Sequence, residues 1–206
     1  MRNAEKRHVD LVVAIPLSLA VGIALWIGDR AAQSAMQALM EGWPRWLVLA
    51  TNAGIEEALR LIVALATMAA IHRLDLEPSM ATMAAIASCC LAALENASYV
   101  AAFPTLDAYW RLGYALPIHL GAATLYALST AAPRRERPRM PRWALVVASL
   151  LAAWAWHTAF NGAATYAPFA LVAPIGTIVN MIMLAALVGV AAIRFGYWSI
   201  YATGRF

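Results

Sequence analysis

The sequence predicts an all-α, polytopic membrane bundle of about six transmembrane helices with its N-terminus in the cytoplasm. Three observations predict it. Of 206 residues, 63% are hydrophobic and 13% charged, with mean hydropathy +0.68; soluble domains run about 45–50% apolar and about 25% charged. The apolar residues fall into runs near the length of about 20 that crosses a bilayer. The basic residues are sorted to alternate joints between those runs. Residues 1–206 therefore read as a single integral membrane domain, and disorder and nucleic-acid binding are excluded as organising themes.

Each run has its own justification. The first, Leu11–Gly28, is uncharged and follows Arg2, Lys6 and Arg7. It exceeds the apolar core of about 7–15 residues of a signal peptide and lacks a small-residue cleavage site, so it reads as a retained helix. Ala31–Glu41 is expected to form a short surface helix. Further runs cover Trp46–Ile71, with Glu56, Glu57 and Arg60 inside it; Ser79–Ala101, with Glu95; Gly113–Ala131, with His119; and Trp143–Ala163, with His157 and Asn161. The last, Leu171–Ala192, is uncharged. Trp26, Trp43, Trp46, Trp110, Trp143 and Trp198 lie near run ends, where aromatic belts form. Adjacent Cys89 and Cys90 read as packed thiols, because disulfide geometry wants separated Cα atoms.

With six crossings and a cytoplasmic N-terminus, eleven of the 15 basic residues fall inside, three (Arg30, Arg45, Arg111) fall outside, and Arg60 stays in the membrane. The loop Ala132–Arg142 contributes most of that bias and reads as a topology determinant. The net charge of +4 is thus arginine sorted to one side.

The informative residues are the ionisable ones at membrane depth. Each costs at least about 2.5–3.5 kcal/mol to place there, so such a residue marks a functional site by default. Alternating helix directions put Glu95, His119 and His157 each six residues from a run end on the same side, about 9 Å deep. Glu56 and Glu57 lie about 15 Å deep. The arginine bias makes this the extracytoplasmic leaflet. His157 and Asn161, like Glu95 and Tyr99, share a helix face at i,i+4. Glu56 and Glu57 are about 100° apart on their helix, so one is expected to face the site and the other to meet Arg60 or another donor.

Two such chemistries suit hydrolysis. A carboxylate shielded from bulk water takes a proton from a bound water as general base, while imidazole and carboxamide N–H groups stabilise a tetrahedral oxyanion. Alternatively, Glu95, His119 and His157 are the ligand types of a catalytic zinc site, although no HExxH lies on any run. A proton- or ion-coupled transporter using the Glu/His cluster as a relay, and a non-catalytic membrane scaffold, are the alternatives from other classes. The absence of an internal repeat argues against the first.

In order, Glu56-Glu57-Ala58-Leu59-Arg60, Glu95-Asn96-Ala97-Ser98-Tyr99, Arg111 with Pro117 and His119, and His157-Thr158-Ala159-Phe160-Asn161 resemble the motifs of the PrsW family. That family belongs with the CAAX-protease-like (ABI) membrane peptidases. Glu95 stands where CAAX-type members have histidine, Arg60 where PrsW-type members commonly have lysine, and Asn161 where others have aspartate. The resemblance covers residues 46–163, the expected peptidase core. It implies a glutamate-dependent endopeptidase in which Glu56 or Glu57 activates water, and His119 assists the water or orients a carboxylate. His157 and Asn161 would hold the oxyanion. Arg60, Asn96, Tyr99 and Arg111 would support them. No cofactor is required on that mechanism, with zinc as the alternative. The implied substrate is a membrane-anchored protein such as an anti-sigma factor, cut in a bacterial plasma membrane.

Overall fold

The computed structural model describes residues 2–74, 80–102, 106–130, 141–166 and 169–191. Among them are six helices and no strand: α1 Arg2–Gln37, α2 Arg45–Leu74, α3 Met80–Ala102, α4 Leu106–Thr130, α5 Arg142–Tyr166 and α6 Phe169–Ala191. Within the described residues, each expected apolar run is the body of one helix. Among those residues, two segments, Ile15–Gln37 and Trp143–Ala163, are long and apolar enough to cross a membrane by length and composition.

The expected surface helix Ala31–Glu41 is corrected. α1 continues without a break to Gln37 and ends in a turn over residues 38–42. Asp29 explains the continuity. It is buried rather than exiting to water, and Gln33 one turn later donates to both of its carboxylate oxygens, at 2.9 and 2.8 Å. The turn then closes on Gly42, whose φ of 79° suits glycine. Pro44 and Pro141 sit immediately before α2 and α5, and their carbonyls accept the first backbone bonds of each helix. Proline suits a helix start, where its missing N–H has no partner to lose.

The helices expose apolar stripes and bury polar groups among the apolar core. Ile175, Ile178, Val179 and Ile182 form an exposed stripe on α6, and Val147, Leu151 and Trp154 one on α5. The buried set includes Ser18, Asp29, Glu56, Glu57, Arg60, Ser88, Asn96, Ser129, Ser149 and both site histidines. A bundle in water buries its apolar stripes; one in lipid can expose them. Trp43, Trp46 and Trp143 are exposed near helix ends, as a belt requires. Trp110 and Trp198, the basic loop and Arg194–Phe206 lie outside the described residues or side chains.

α4 is the hub, packed against α2, α3, α5 and α6, while α1 packs on α3. Small residues permit this. Ala115, Ala122 and Ala153 are almost wholly buried at helix crossings, and a side chain at Gly121 would overlap the Trp156 ring. Side-chain bonds tie the crossings: Trp154 Nε1 donates to Ala50 O at 2.7 Å, Trp156 Nε1 to Asn180 Oδ1 at 2.8 Å, and Ser149 Oγ to Ser129 Oγ at 3.0 Å. Cys89 and Cys90 are unbridged.

The Gly121 contact gives a stability prediction. Gly121→Leu overpacks the α4–α5 crossing and is expected to cost about 1–3 kcal/mol, whereas Gly28→Ala, where added atoms meet nothing within 4 Å, should stay within about 0.5 kcal/mol. Chemical unfolding in detergent checks both, and equal midpoints would contradict the close crossing.

Candidate active site

Four helices bring their ionisable side chains to one buried place. α2 supplies Glu56, Glu57 and Arg60, spaced so that one guanidinium reaches both carboxylates. Arg60 Nη2 donates to Glu56 Oε1 at 2.5 Å and Nη1 to Glu57 Oε1 at 2.9 Å. The expectation that only one glutamate would meet Arg60 is therefore corrected. The planar fork carries two separate donor nitrogens, which bridge the angular gap between neighbouring residues.

Arg60 also reaches another helix. Its Nη2 lies 2.6 Å from His119 Nδ1 on α4. Arginine has no acceptor, so His119 Nδ1 accepts, and in a neutral ring Nε2 carries the hydrogen. Nε2 lies 3.0 Å from Glu95 Oε2 of α3. His157 on α5 lies with Nδ1 2.8 Å from Glu57 Oε1 and Nε2 3.8 Å from Glu56 Oε2. The two imidazoles meet edge to face, centroids 5.7 Å apart. Glu57 is fully buried, and Glu56, Arg60, His119 and His157 are nearly so; the Glu95 side chain keeps 16% of its surface.

Tyr126 was missed from sequence. It is fully buried on α4 and its hydroxyl donates to Glu57 Oε2 at 2.9 Å. The available signal was its position seven residues after His119, two turns along the same face. Asp29 was also missed; its i,i+4 relation to Gln33 at the edge of an apolar run was the signal.

Of the other expected residues, Asn161 sits one turn beyond His157 on α5, half-buried. Asn96 is buried beside Glu95 in sequence, with Oδ1 lacking a hydrogen bond among the described residues. The side chains of Tyr99 and Arg111 lie outside the described ones. A cavity of about 820 Å³ opens between the end of α1 and the start of α2, lined in part by Arg30, Gln33, Glu41 and Asn52. Asn52 is one turn before Glu56.

The donor set fits a divalent cation. Glu56, Glu57 and His157 form one group, and Glu56, Glu95 and His119 another, each with ligand atoms within 4.8 Å of one another. Carboxylate and imidazole are the ligand types of catalytic zinc. The trio expected from sequence is split between the groups, with Glu56 common to both.

Removing the Tyr126 hydroxyl leaves the buried Glu57 Oε2 short of its donor. Tyr126→Phe is expected to lower stability by about 1–3 kcal/mol. Ser98→Ala, which loses only a bond to its own helix at Leu94 O, should shift it by less than about 0.5 kcal/mol. Parallel unfolding curves decide it: a Tyr126→Phe chain as stable as the parent would mean the bond contributes nothing.

No curated protein and no solved structure matches the chain. A family model does, over residues 6–191, and its description is PrsW family intramembrane metalloprotease. The match embraces the four helices that carry Glu56, Glu57, Glu95, His119 and His157, and the chain belongs to that family.

Proposed function

We propose that this membrane peptidase hydrolyses a peptide bond of a membrane-anchored protein near the extracytoplasmic face, with Glu56 as the general base. The observation that carries the choice of Glu56 is the asymmetry of the paired glutamates. Glu57 Oε1 is held by Arg60 and His157, and Glu57 Oε2 by Tyr126. Glu56 Oε2 instead faces His157 Nε2 across 3.8 Å, beyond direct hydrogen bonding and suited to a water held by both.

In this reading Glu56 Oε2 takes a proton from that water as its oxygen attacks the scissile carbonyl carbon. His157, as an imidazolium, gives Nδ1–H to Glu57 and presents Nε2–H to the oxyanion beside the Asn161 carboxamide. The carbon–nitrogen bond then breaks as Glu56 returns its proton to the leaving amine. His119, beside Glu95, holds the Arg60 fork, and Arg60 fixes Glu56 Oε1, leaving Oε2 to react. Either Glu56, Glu57 and His157 or Glu56, Glu95 and His119 would hold a bound cation, which would supply Lewis acidity toward water and carbonyl. The cavity beside Asn52 offers water a path from the aqueous side.

The arginine distribution supports six crossings with the N-terminus in the cytoplasm, and so an outward-facing site; family membership supports a bacterial plasma membrane. The family's activity favours a peptidase over an ion relay or a scaffold. An anti-sigma factor with one membrane span suits such a site as substrate.

The test is cleavage of single-span substrates, an anti-sigma factor among them, by purified protein in liposomes. Glu56→Gln is expected to lose at least about 10²–10⁴-fold in rate, and Asn161→Ala about 10²–10³-fold, with folding matched by unfolding curves. Wild-type cleavage by the Glu56→Gln chain would remove Glu56 as base. Wild-type rates in the Glu56→Gln, His119→Ala and His157→Ala chains together would end the peptidase proposal for this site. Full activity after exhaustive chelation, with no metal in the sample, would exclude a metal requirement.

A further inference from the structure

We propose that Arg60 is the resident cation of this site, and that a divalent cation taken up through His119 must displace Arg60 from His119. The argument concerns the donor set, not the reaction. Arg60 is buried, with Nη2 at 2.6 Å from His119 Nδ1 and 2.5 Å from Glu56 Oε1. Both of those atoms are of the ligand type that a metal needs.

A metal takes a lone pair, and a neutral imidazole has one pyridine-like nitrogen. Two routes to ligation by His119 follow. If Nδ1 is the ligand, the ion must stand where Arg60 Nη2 now stands, since that lone pair accepts from Arg60. If Nε2 is the ligand, alongside Glu95, the ring proton must move to Nδ1. Nδ1–H then faces an Arg60 N–H, donor against donor, with the charge of the ion added close by. Either way the Arg60–His119 bond breaks.

The second group differs. His157 already gives Nδ1 to Glu57 Oε1, which leaves Nε2 toward Glu56 Oε2. A cation held there leaves the Arg60–His119 bond intact. Arg60 therefore discriminates between the two groups by opposing uptake at His119.

Charge bookkeeping agrees. The site holds three carboxylates and one guanidinium, which meets two of them, so without metal it depends on Arg60 for its fixed positive charge. An incoming dication takes over part of that role, and Arg60 becomes its competitor for Glu56 Oε1. Arg60 is thus a positioning residue that keeps Glu56, Glu57 and His119 assembled in the absence of metal.

The test uses the full chain in detergent, stripped of metal, and zinc alone as the probe, so a chain that cut no substrate would still answer it. By calorimetry, Arg60→Gln is expected to bind zinc at least tenfold more tightly than wild type. Most of that gain should vanish in a His119→Ala background. Zinc should also raise the melting temperature of Arg60→Gln more than that of wild type. Arg60→Lys keeps the charge but loses the fork, and its affinity should fall between the two; it decides the matter if Arg60→Gln does not fold. Equal or weaker zinc affinity in Arg60→Gln, or in Arg60→Lys where that is the folded variant, overturns the proposal. So does a gain that persists undiminished without His119, or no zinc binding by any variant up to millimolar concentration.

Discussion

One guanidinium touches three groups on two helices, and the rest of the site is arranged around it. Arg60 holds Glu56 Oε1, Glu57 Oε1 and His119 Nδ1 at once. Removing one partner of such a buried set leaves an uncompensated charge, which is far costlier than the net worth of the pair. The Arg60 fork therefore fixes more than charge balance. By accepting from Arg60, His119 Nδ1 fixes the neutral ring's hydrogen on Nε2, the nitrogen that lies beside Glu95 on α3. One side chain of α2 thus sets the tautomer of a residue on α4 and the partner of a residue on α3.

The same constraint separates two glutamates that sequence makes look equivalent. Glu57 is surrounded by donors from α2, α4 and α5 and has no exposed surface. Its part is to hold His157 by Nδ1 and to be held by Tyr126. Glu56 shares Arg60 and lies against both imidazoles, yet keeps one oxygen toward a gap wider than a hydrogen bond. A pair of adjacent acids on one helix becomes one anchor and one carboxylate with an oxygen left unbonded among the described residues. Neighbouring helices, not the residues themselves, make the difference.

This division explains what the sequence disclosed. Ionisable residues inside apolar runs singled out Glu56, Glu57, Glu95, His119 and His157, because a charge in such a run is conspicuous, and the helices bring the five together. Family membership agrees with the motifs that carried the resemblance. Tyr126 escaped notice because an aromatic residue in an apolar run looks like packing, and only its hydroxyl, aimed by α4, reveals the bond to Glu57. The early end given to α1 had the opposite cause. Asp29 and Arg30 resemble an exit from the bilayer, but Gln33 satisfies Asp29 and the helix continues. Reach across helices, such as that of Arg60 to His119, has no counterpart in spacing along one chain.

Packing and chemistry are finally set by the same few residues. His119, Gly121 and Tyr126 lie on α4, and Trp156 and His157 are neighbours on α5. Gly121 lets the Trp156 ring lie against the α4 backbone, and Trp156 in turn is fixed to α6 through Asn180. The gap between the two imidazoles is therefore a consequence of how closely α4 and α5 approach. A side chain at Gly121 would push apart the helices that present His119 and His157, although it touches neither ring. In a bundle whose exterior is apolar, lipid offers little drive for helices to associate beyond contact and hydrogen bonds. The small residues that permit contact must then occupy the same crossings as the polar groups. A site of this kind has its precision built into the helix interfaces, so its geometry and its stability respond together to the same substitutions.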